Sequence, residues 1–317
     1  MASFGDLNRV NTNVQSLDAQ LSLNRVNSDL SDSRERLTTG KKINKAEDNA
    51  AGYSIASKLK SRVAGLEQSL SNVGDAKSVL DITESSFDIV MDSLIEMKSL
   101  STQAANGTLG DTERGYIGDQ LKAIGNDINE IANQTVYQET ELLNGTDNSG
   151  SISLTFQVGE RAQDTITATV SAVNVGELFA ASGDADLGAT TTAGGGAASG
   201  GAISVTAATA SDQGTFTFAS TATAADYNNF ITAIDSAIDT MATNVNTIGI
   251  TQSSLSLRED TLSESISATE SAKSRIMDTD FAKEQSESVR LQILQQTATS
   301  ALAQANNGPQ SVLGFIG

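Results

Sequence analysis

The chain has 317 residues, with 20 basic and 39 acidic side chains, and so a formal net charge of −19. It contains no cysteine, histidine or tryptophan and a single proline. These zeros exclude disulfides, thiol nucleophiles, imidazole bases, Ser/His/Asp triads and the usual zinc ligand sets. No cofactor or metal site is expected. The acidic balance makes nucleic acid a poor partner, because phosphate binding needs clustered Lys and Arg. No apolar run is long enough for membrane insertion, and the first six residues lack the pattern of a cleaved signal peptide.

In chain order, residues 1–45 read as an N-terminal coiled-coil segment. Val10, Val14, Leu17 and Leu21 make one stripe, and Leu23, Val26, Leu30 and Leu37 continue it with a phase shift. Residues 46–145 follow with a longer heptad stripe, Leu59, Val63, Leu66, Leu70, Val73, Leu80, Phe87, Met91 and Leu94, interrupted by Lys77 and Glu84. Asn106-Gly107 reads as a left-handed C-cap and Asp111 as the next N-cap. Ile117, Leu121, Ile124, Ile128 and Ile131 then define another helix.

Residues 146–176 carry the strand signal. Ile152, Leu154, Phe156 and Val158 alternate with polar residues, and Ile166, Ala168 and Val170 repeat the pattern across a turn, which predicts a hairpin. Residues 177–226 are rich in Gly, Ala, Thr and Ser and read as a surface-exposed insertion, with weak alternation at Ile203/Val205 and Phe216/Phe218. No Lys or Arg occurs between Arg161 and Arg258. Residues 227–276 read as one long helix on the stripe Tyr227, Ile231, Ile234, Ile238, Met241, Val245, Ile248, Leu255, Leu262, Ile266 and Ile276, with Gln252, Glu259, Thr269 and Lys273 in the same register and Asp226 as N-cap. Residues 277–317 close the chain with a heptad of Leu291, Leu294, Ala298, Ala301 and Ala305, and Leu302 alongside.

The expected fold is mainly α: a long antiparallel helical rod with terminal coiled-coil segments and a small β-rich central insertion. The long stripes read as an internal helical core. The terminal ones bury too little to offset their ordering entropy and point to packing between copies.

Other patterns carry less. The sequence from Asp184-Ala185-Asp186 resembles the start of a calcium loop, but its twelfth position is Gly195, where a bidentate Glu is needed. Gly194-Gly195-Gly196 has no Lys near it and is no phosphate loop. Asp278 and Asp280, read on one helix, face different sides and have solvated or paired roles. Asn106-Gly107-Thr108, Asn133-Gln134-Thr135 and Asn144-Gly145-Thr146 match the N-glycosylation pattern, as chance allows in a chain so rich in Asn and Thr.

The two ends carry multi-residue motifs. Arg34-Glu35-Arg36-Leu37-Thr38-Thr39-Gly40-Lys41-Lys42-Ile43-Asn44-Lys45-Ala46-Glu47-Asp48-Asn49-Ala50-Ala51-Gly52 strongly resembles the N-terminal signature of bacterial flagellins, as do Asn11-Thr12-Asn13-Val14 and Gln103-Ala104-Ala105-Asn106-Gly107. Ser274-Arg275-Ile276-Met277-Asp278-Thr279-Asp280-Phe281-Ala282 and Leu302-Ala303-Gln304-Ala305-Asn306 resemble the C-terminal one.

The resemblance implies a homopolymer of helically stacked copies in the extracellular flagellar filament, exported unfolded and served by an export chaperone, a cap and hook-junction proteins. It implies an inner tube formed by Val10, Val14, Leu17, Leu21, Leu30, Leu291, Leu294, Ala298 and Leu302. It also implies an innate-receptor contact region at Glu96, Leu100 and Glu130, with Glu96 standing where strongly sensed relatives carry Arg. A hook–filament junction protein and a surface adhesin are the alternative readings, and no enzyme is expected.

Overall fold

The computed structural model describes residues 13–144, 150–180, 203–205 and 213–313. Its elements are α1 (Val14–Thr39), α2 (Ala50–Ala104), α3 (Asp111–Gln134), β1 (Val136–Tyr137), β2 (Thr140–Glu141), β3 (Ser151–Gln157), β4 (Thr165–Ser171), α4 (Val175–Ala180), β5 (Ile203–Val205), β6 (Phe216–Phe218), α5 (Ala224–Met277) and α6 (Phe281–Leu313). The fold is mainly α, as the stripe spacing predicts. Contacts divide the chain into one unit of Met1–Ala64 with Ile266–Gly317 and a second of Gly65–Ser265. The first unit thus includes residues 46–64 and 266–276, which the sequence grouped with the long helices.

In the second unit α2 and α5 run antiparallel. Lys98 Nζ lies 2.6 Å from Asp235 Oδ1, while Lys77 Nζ lies 2.9 Å from Glu259 Oε2. Val73, Leu80, Phe87 and Leu94 of α2 are buried, as are Tyr227, Ile234, Met241, Ile248 and Leu255 of α5. Residues seven apart share one face of a slightly underwound helix, so each stripe makes a continuous seam. The polar interruptions of the two stripes meet: Lys77 pairs with Glu259, and Gln252 donates to Glu84 Oε2 at 2.7 Å and to Asp81 Oδ1 at 2.9 Å.

The helix ends differ from the sequence reading. Asp226 is not the N-cap of α5; Thr223 is. The Asp226 carboxylate accepts from Thr223 N and Thr223 Oγ1, both at 2.7 Å, and Asp226 N reaches back to Thr223 Oγ1 at 3.4 Å. This is a capping box, with the acidic residue three positions inside the cap. Likewise Gly110, not Asp111, caps α3, and Asp111 stands in the first turn, where its charge suits the helix dipole. Gly107 does not have the positive φ of a left-handed cap, which is found instead at Gly40, with φ 69°. Asp278 and Asp280 lie in the break between α5 and α6 rather than on one helix. Asp280 Oδ1 accepts from Ala282 N at 3.0 Å and Lys283 N at 3.2 Å, capping α6.

β3 and β4 form the predicted hairpin, in register from Ser151↔Ser171 to Gln157↔Thr165. β5 and β6 pair antiparallel, Ile203↔Phe218 to Val205↔Phe216. The described part of 177–226 is anchored rather than wholly at the surface: Leu178, Phe179, Ile203 and Phe216 are buried. Phe179, Phe216, Phe218 and Phe230 form an aromatic cluster, with Phe216 edge-on to Phe179 at 4.9 Å and to Phe230 at 5.3 Å. Asn129 of α3 ties the cluster down, donating to Gly214 O at 2.7 Å and accepting from Val175 N at 2.9 Å. The candidate calcium loop and the glycine run, within 184–196, lie outside the described residues.

The exposed face of α5 carries a ladder of hydroxyls. Thr240, Thr243, Thr247 and Thr251 each donate to the carbonyl four residues earlier at 2.9 Å.

Candidate assembly surfaces

α1 and α6 come from opposite ends of the chain and lie antiparallel. Asn13 Nδ2 donates to Ala305 O at 2.8 Å, Ser16 Oγ to Asn306 Oδ1 at 2.6 Å, and Gln295 Nε2 to Asn27 Oδ1 at 2.7 Å. The facing residues are Ser16, Ala19, Leu23, Val26, Leu30, Ser33 and Leu37 on α1, and Ser288, Leu291, Gln295, Ala298, Leu302 and Ala305 on α6, all at alternating steps of three and four. Among the apolar residues of this seam only Leu30, at 3% exposure, and Leu291, at 5%, are fully buried. The rest are half-covered, because small side chains and one partner helix supply little area.

The site residues expected from sequence therefore fall into two groups. Leu30, Leu291, Ala298 and Leu302 lie on the seam within the chain. Leu17, at 57% exposure, Leu21, at 50%, and Leu294, at 42%, do not. Val14 is half-buried, and Val10 lies outside the described residues. At 100° per residue, the Val14–Leu17–Leu21 stripe points roughly 180° away from the α1 seam. On α6, Val289 and Ile293, the latter 58% exposed, likewise point away from theirs. Each terminal helix has one apolar face against its partner and a second that no described residue covers.

The two signature motifs also meet. Lys41 bridges Asp278 in antiparallel fashion, Lys42 N donates to Met277 O at 2.6 Å, and Thr279 N donates to Gly40 O at 3.0 Å. A Cβ at Gly40 would lie 3.8 Å from the Phe281 ring, so the left-handed turn and the aromatic fit together. Beyond it, Asp48 Oδ2 accepts from Asn44 N at 2.8 Å and Lys45 N at 2.9 Å. Those two amides hold the exposed Asp48 carboxyl below its ordinary pKa. Asn49 Oδ1 accepts from Gly52 N at 2.9 Å and starts α2. Neither motif carries a local sign that the other packs against it.

Glu96 and Leu100 stand one turn apart on α2, with Glu96 exposed and Leu100 half-buried. Glu130 lies near the far end of α3, accepting from Gln134 Nε2 at 2.8 Å. Arg114 Nε reaches Ala104 O at one end of the α2–α3 pair, and Thr135 Oγ1 reaches Ser86 Oγ at the other. By that register Glu130 is displaced from Leu100 by roughly 15–20 Å along the helices. Among the described residues, no helix is long and apolar enough to cross a membrane, and no group of three or more acidic side chains could hold a metal ion.

Paired terminal helices that each keep an uncovered apolar face define a self-assembling structural protein. Comparison with known proteins gives the family. The family model for the bacterial flagellin N-terminal helical region matches residues 10–148, and that for the C-terminal helical region matches 231–316. The flagellin of Listeria monocytogenes is 29% identical over 308 residues, covering 97% of this chain and 99% of the relative. The flagellar filament 41 kDa core protein of Borreliella burgdorferi is 26% identical over 334 residues, with coverages of 97% and 99%. A solved structure described as a flagellar hook-associated protein from Vibrio parahaemolyticus shares the fold at 17% identity and a TM-score of 0.52, over 73% of this chain and 100% of that one. The chain belongs to the bacterial flagellin family: it is a structural subunit that polymerises with copies of itself into the flagellar filament, the organelle of swimming motility.

Proposed function

We propose that α1 and α6 form the inner tube of the filament, with Val10, Val14 and the exposed Leu17 and Leu21 at one end and the exposed Ile293 and Leu294 at the other packing against neighbouring copies. Leu30, Leu291, Ala298 and Leu302 hold the pair together within each subunit. The observation that carries this reading is the pair of opposed faces on α1, one covered by α6 and one bare among the described residues. A second apolar stripe on a helix gains free energy when a neighbour removes it from water.

The same reading has the chain exported unfolded and assembled outside the cell, aided by a chaperone, a cap and hook-junction proteins. A chain without Cys and with one Pro suits that route, since no thiol can misoxidise and only one X–Pro bond can isomerise slowly. Its work is done by surfaces rather than by a catalytic centre. The stretch 177–226 is assigned to the outward side of the filament.

The test is Leu294→Asp. Leu294 is off the intramolecular seam, so far-UV circular dichroism of the monomer should be unchanged while seeded elongation stops, read by pelleting and electron microscopy. Normal elongation would refute the assignment. For the receptor region, a charge reversal at a hot spot costs about 2 kcal/mol or more. The wild-type protein should therefore be a weak activator, and Glu96→Arg should raise a reporter-cell response. An unchanged response would remove Glu96 from that surface.

A further inference from the structure

The dipeptide Asn-Gly occurs three times, at Asn106-Gly107, Asn144-Gly145 and Asn307-Gly308, and the structure gives the three asparagines different settings. Asn307 and Gly308 lie inside α6, where the Gly308 amide belongs to the helical hydrogen-bond ladder. The Asn144 side chain is tied at both ends. Its Nδ2 donates to Asn133 Oδ1 at 3.1 Å and to Glu141 Oε2 at 3.0 Å, and its Oδ1 accepts from Asn174 Nδ2 at 3.5 Å.

Asn106 is exposed on the turn between α2 and α3. Its carbonyl accepts from Leu109 N at 3.2 Å, which puts Gly107 and Thr108 at the corners of the turn. Its side-chain Oδ1 accepts from Thr108 N at 3.2 Å. The Gly107 N–H has no hydrogen-bond partner among the described residues, and no heavy atom lies within 4 Å of where a Gly107 Cβ would stand. An uncommitted backbone nitrogen therefore sits next to a side-chain amide whose oxygen already accepts a hydrogen bond.

We propose that Asn106 is a site of spontaneous succinimide formation and deamidation, a chemical clock on the α2–α3 turn. The Gly107 amide gives its proton to a solvent base, and its nitrogen attacks Asn106 Cγ. The N–Cγ bond forms, the Thr108 N–H stabilises charge on Oδ1, and the Cγ–Nδ2 bond breaks as ammonia departs with a proton from solvent. Water then opens the five-membered imide at either carbonyl and leaves its oxygen in the new carboxylate, giving aspartate or isoaspartate. The balance is one side-chain amide and one water consumed, one carboxyl group and one ammonia made.

Glycine at 107 leaves the nitrogen unhindered, while the ladder at Gly308 and the bonds on Asn144 withhold reactive geometry until the structure opens locally. The product falls beside Arg114, whose Nη2 is 3.4 Å from Asn106 O and whose Nε is 3.2 Å from Ala104 O. The reaction therefore adds a negative charge, and in the isoaspartyl form a backbone methylene, to a turn that Arg114 clamps.

The experiment incubates the purified full-length chain at neutral and mildly alkaline pH and maps its peptides by mass spectrometry, with parallel samples in heavy-oxygen water. Asn106 should gain the amide-to-acid mass several-fold faster than Asn144 and Asn307, incorporate heavy oxygen and yield isoaspartate detectable by methyltransferase labelling. In concentrated urea the three sites should converge. Gly107→Ala should slow the Asn106 reaction several-fold with an unchanged melting curve. Equal rates at the three sites in the folded chain, an Asn106 that stays intact while the urea-treated chain reacts, or no slowing by Gly107→Ala would each overturn the proposal.

Discussion

Lys77 on α2 and Glu259 on α5, each an interruption in its own apolar stripe, are joined at 2.9 Å. Their side chains are 34% and 46% exposed, so the pair adds at most about 1 kcal/mol. Its larger effect is on register. Sliding the helices by one heptad would set Glu259 beside Glu84 in one direction and beside Leu70 in the other, an unfavourable match either way. Lys77→Glu should lower the melting temperature, and adding Glu259→Lys should recover most of the loss. A double variant no more stable than the sum of the singles would show that the two charges do not interact.

Two helical glycines should respond in opposite directions to alanine. A Cβ on Gly125 of α3 would lie 2.7 Å from Phe216 Cε2 and 3.6 Å from Val175 Cγ2. Overpacking of about 1–3 kcal/mol should outweigh the gain of about 1 kcal/mol in helix propensity, so Gly125→Ala destabilises. Gly249 on α5 has nothing within 4 Å, and Gly249→Ala should stabilise by up to about 1 kcal/mol. Thermal melting followed by circular dichroism checks both.

Acid should loosen the signature loop before the long helices. Asp48 has a lowered pKa because the Lys45 and Asn44 amides bond its carboxylate. A depressed carboxyl pKa contributes stability that is present above its unfolded value and is lost as pH falls through the lower folded value. Amide hydrogen exchange at Asn44 and Lys45 should therefore accelerate in strong acid, below the ordinary Asp range. Asp48→Asn should show the faster exchange already at neutral pH.

Assembly should depend on salt. Each subunit carries a formal charge of −19, and copies stacked in a filament repel one another. At 0.15 M salt the Debye length is about 8 Å, so repulsion between distant surface charges is screened. Seeded elongation should slow as ionic strength falls, and turbidity growth in deionised buffer no slower than in saline would contradict this.

The sequence made some of this legible and hid the rest for physical reasons. Heptad spacing and two-residue alternation are local signals, so the α2 and α5 seams and the β3–β4 hairpin are legible directly. That Lys77 faces Glu259, or that Lys42 meets Met277, depends on residues far apart in sequence and has no local trace. The aromatic cluster was hidden in the same way, with Phe179, Phe216 and Phe218 scattered along a Gly-rich stretch and Phe230 on α5. One signal was available: Gly118 and Gly125, seven residues apart on α3, leave room for Phe218 and Phe216 on one face. The Thr223-x-x-Asp226 box was also present to be read. In the terminal helices the phase shift was visible, but only the α1–α6 contact shows that Leu23, Val26 and Leu30 face inward while Leu17 and Leu21 are exposed.

The threonine ladder of α5 bears on what a neighbouring molecule would meet there. A hydroxyl that already donates to its own helix keeps its proton partnered when water is removed. Each such residue then shows an approaching surface its methyl group and the spare lone pairs of its oxygen. The face is wettable while free, yet drying it orphans no donor, a property suited to a contact between copies that must slide past one another before they settle.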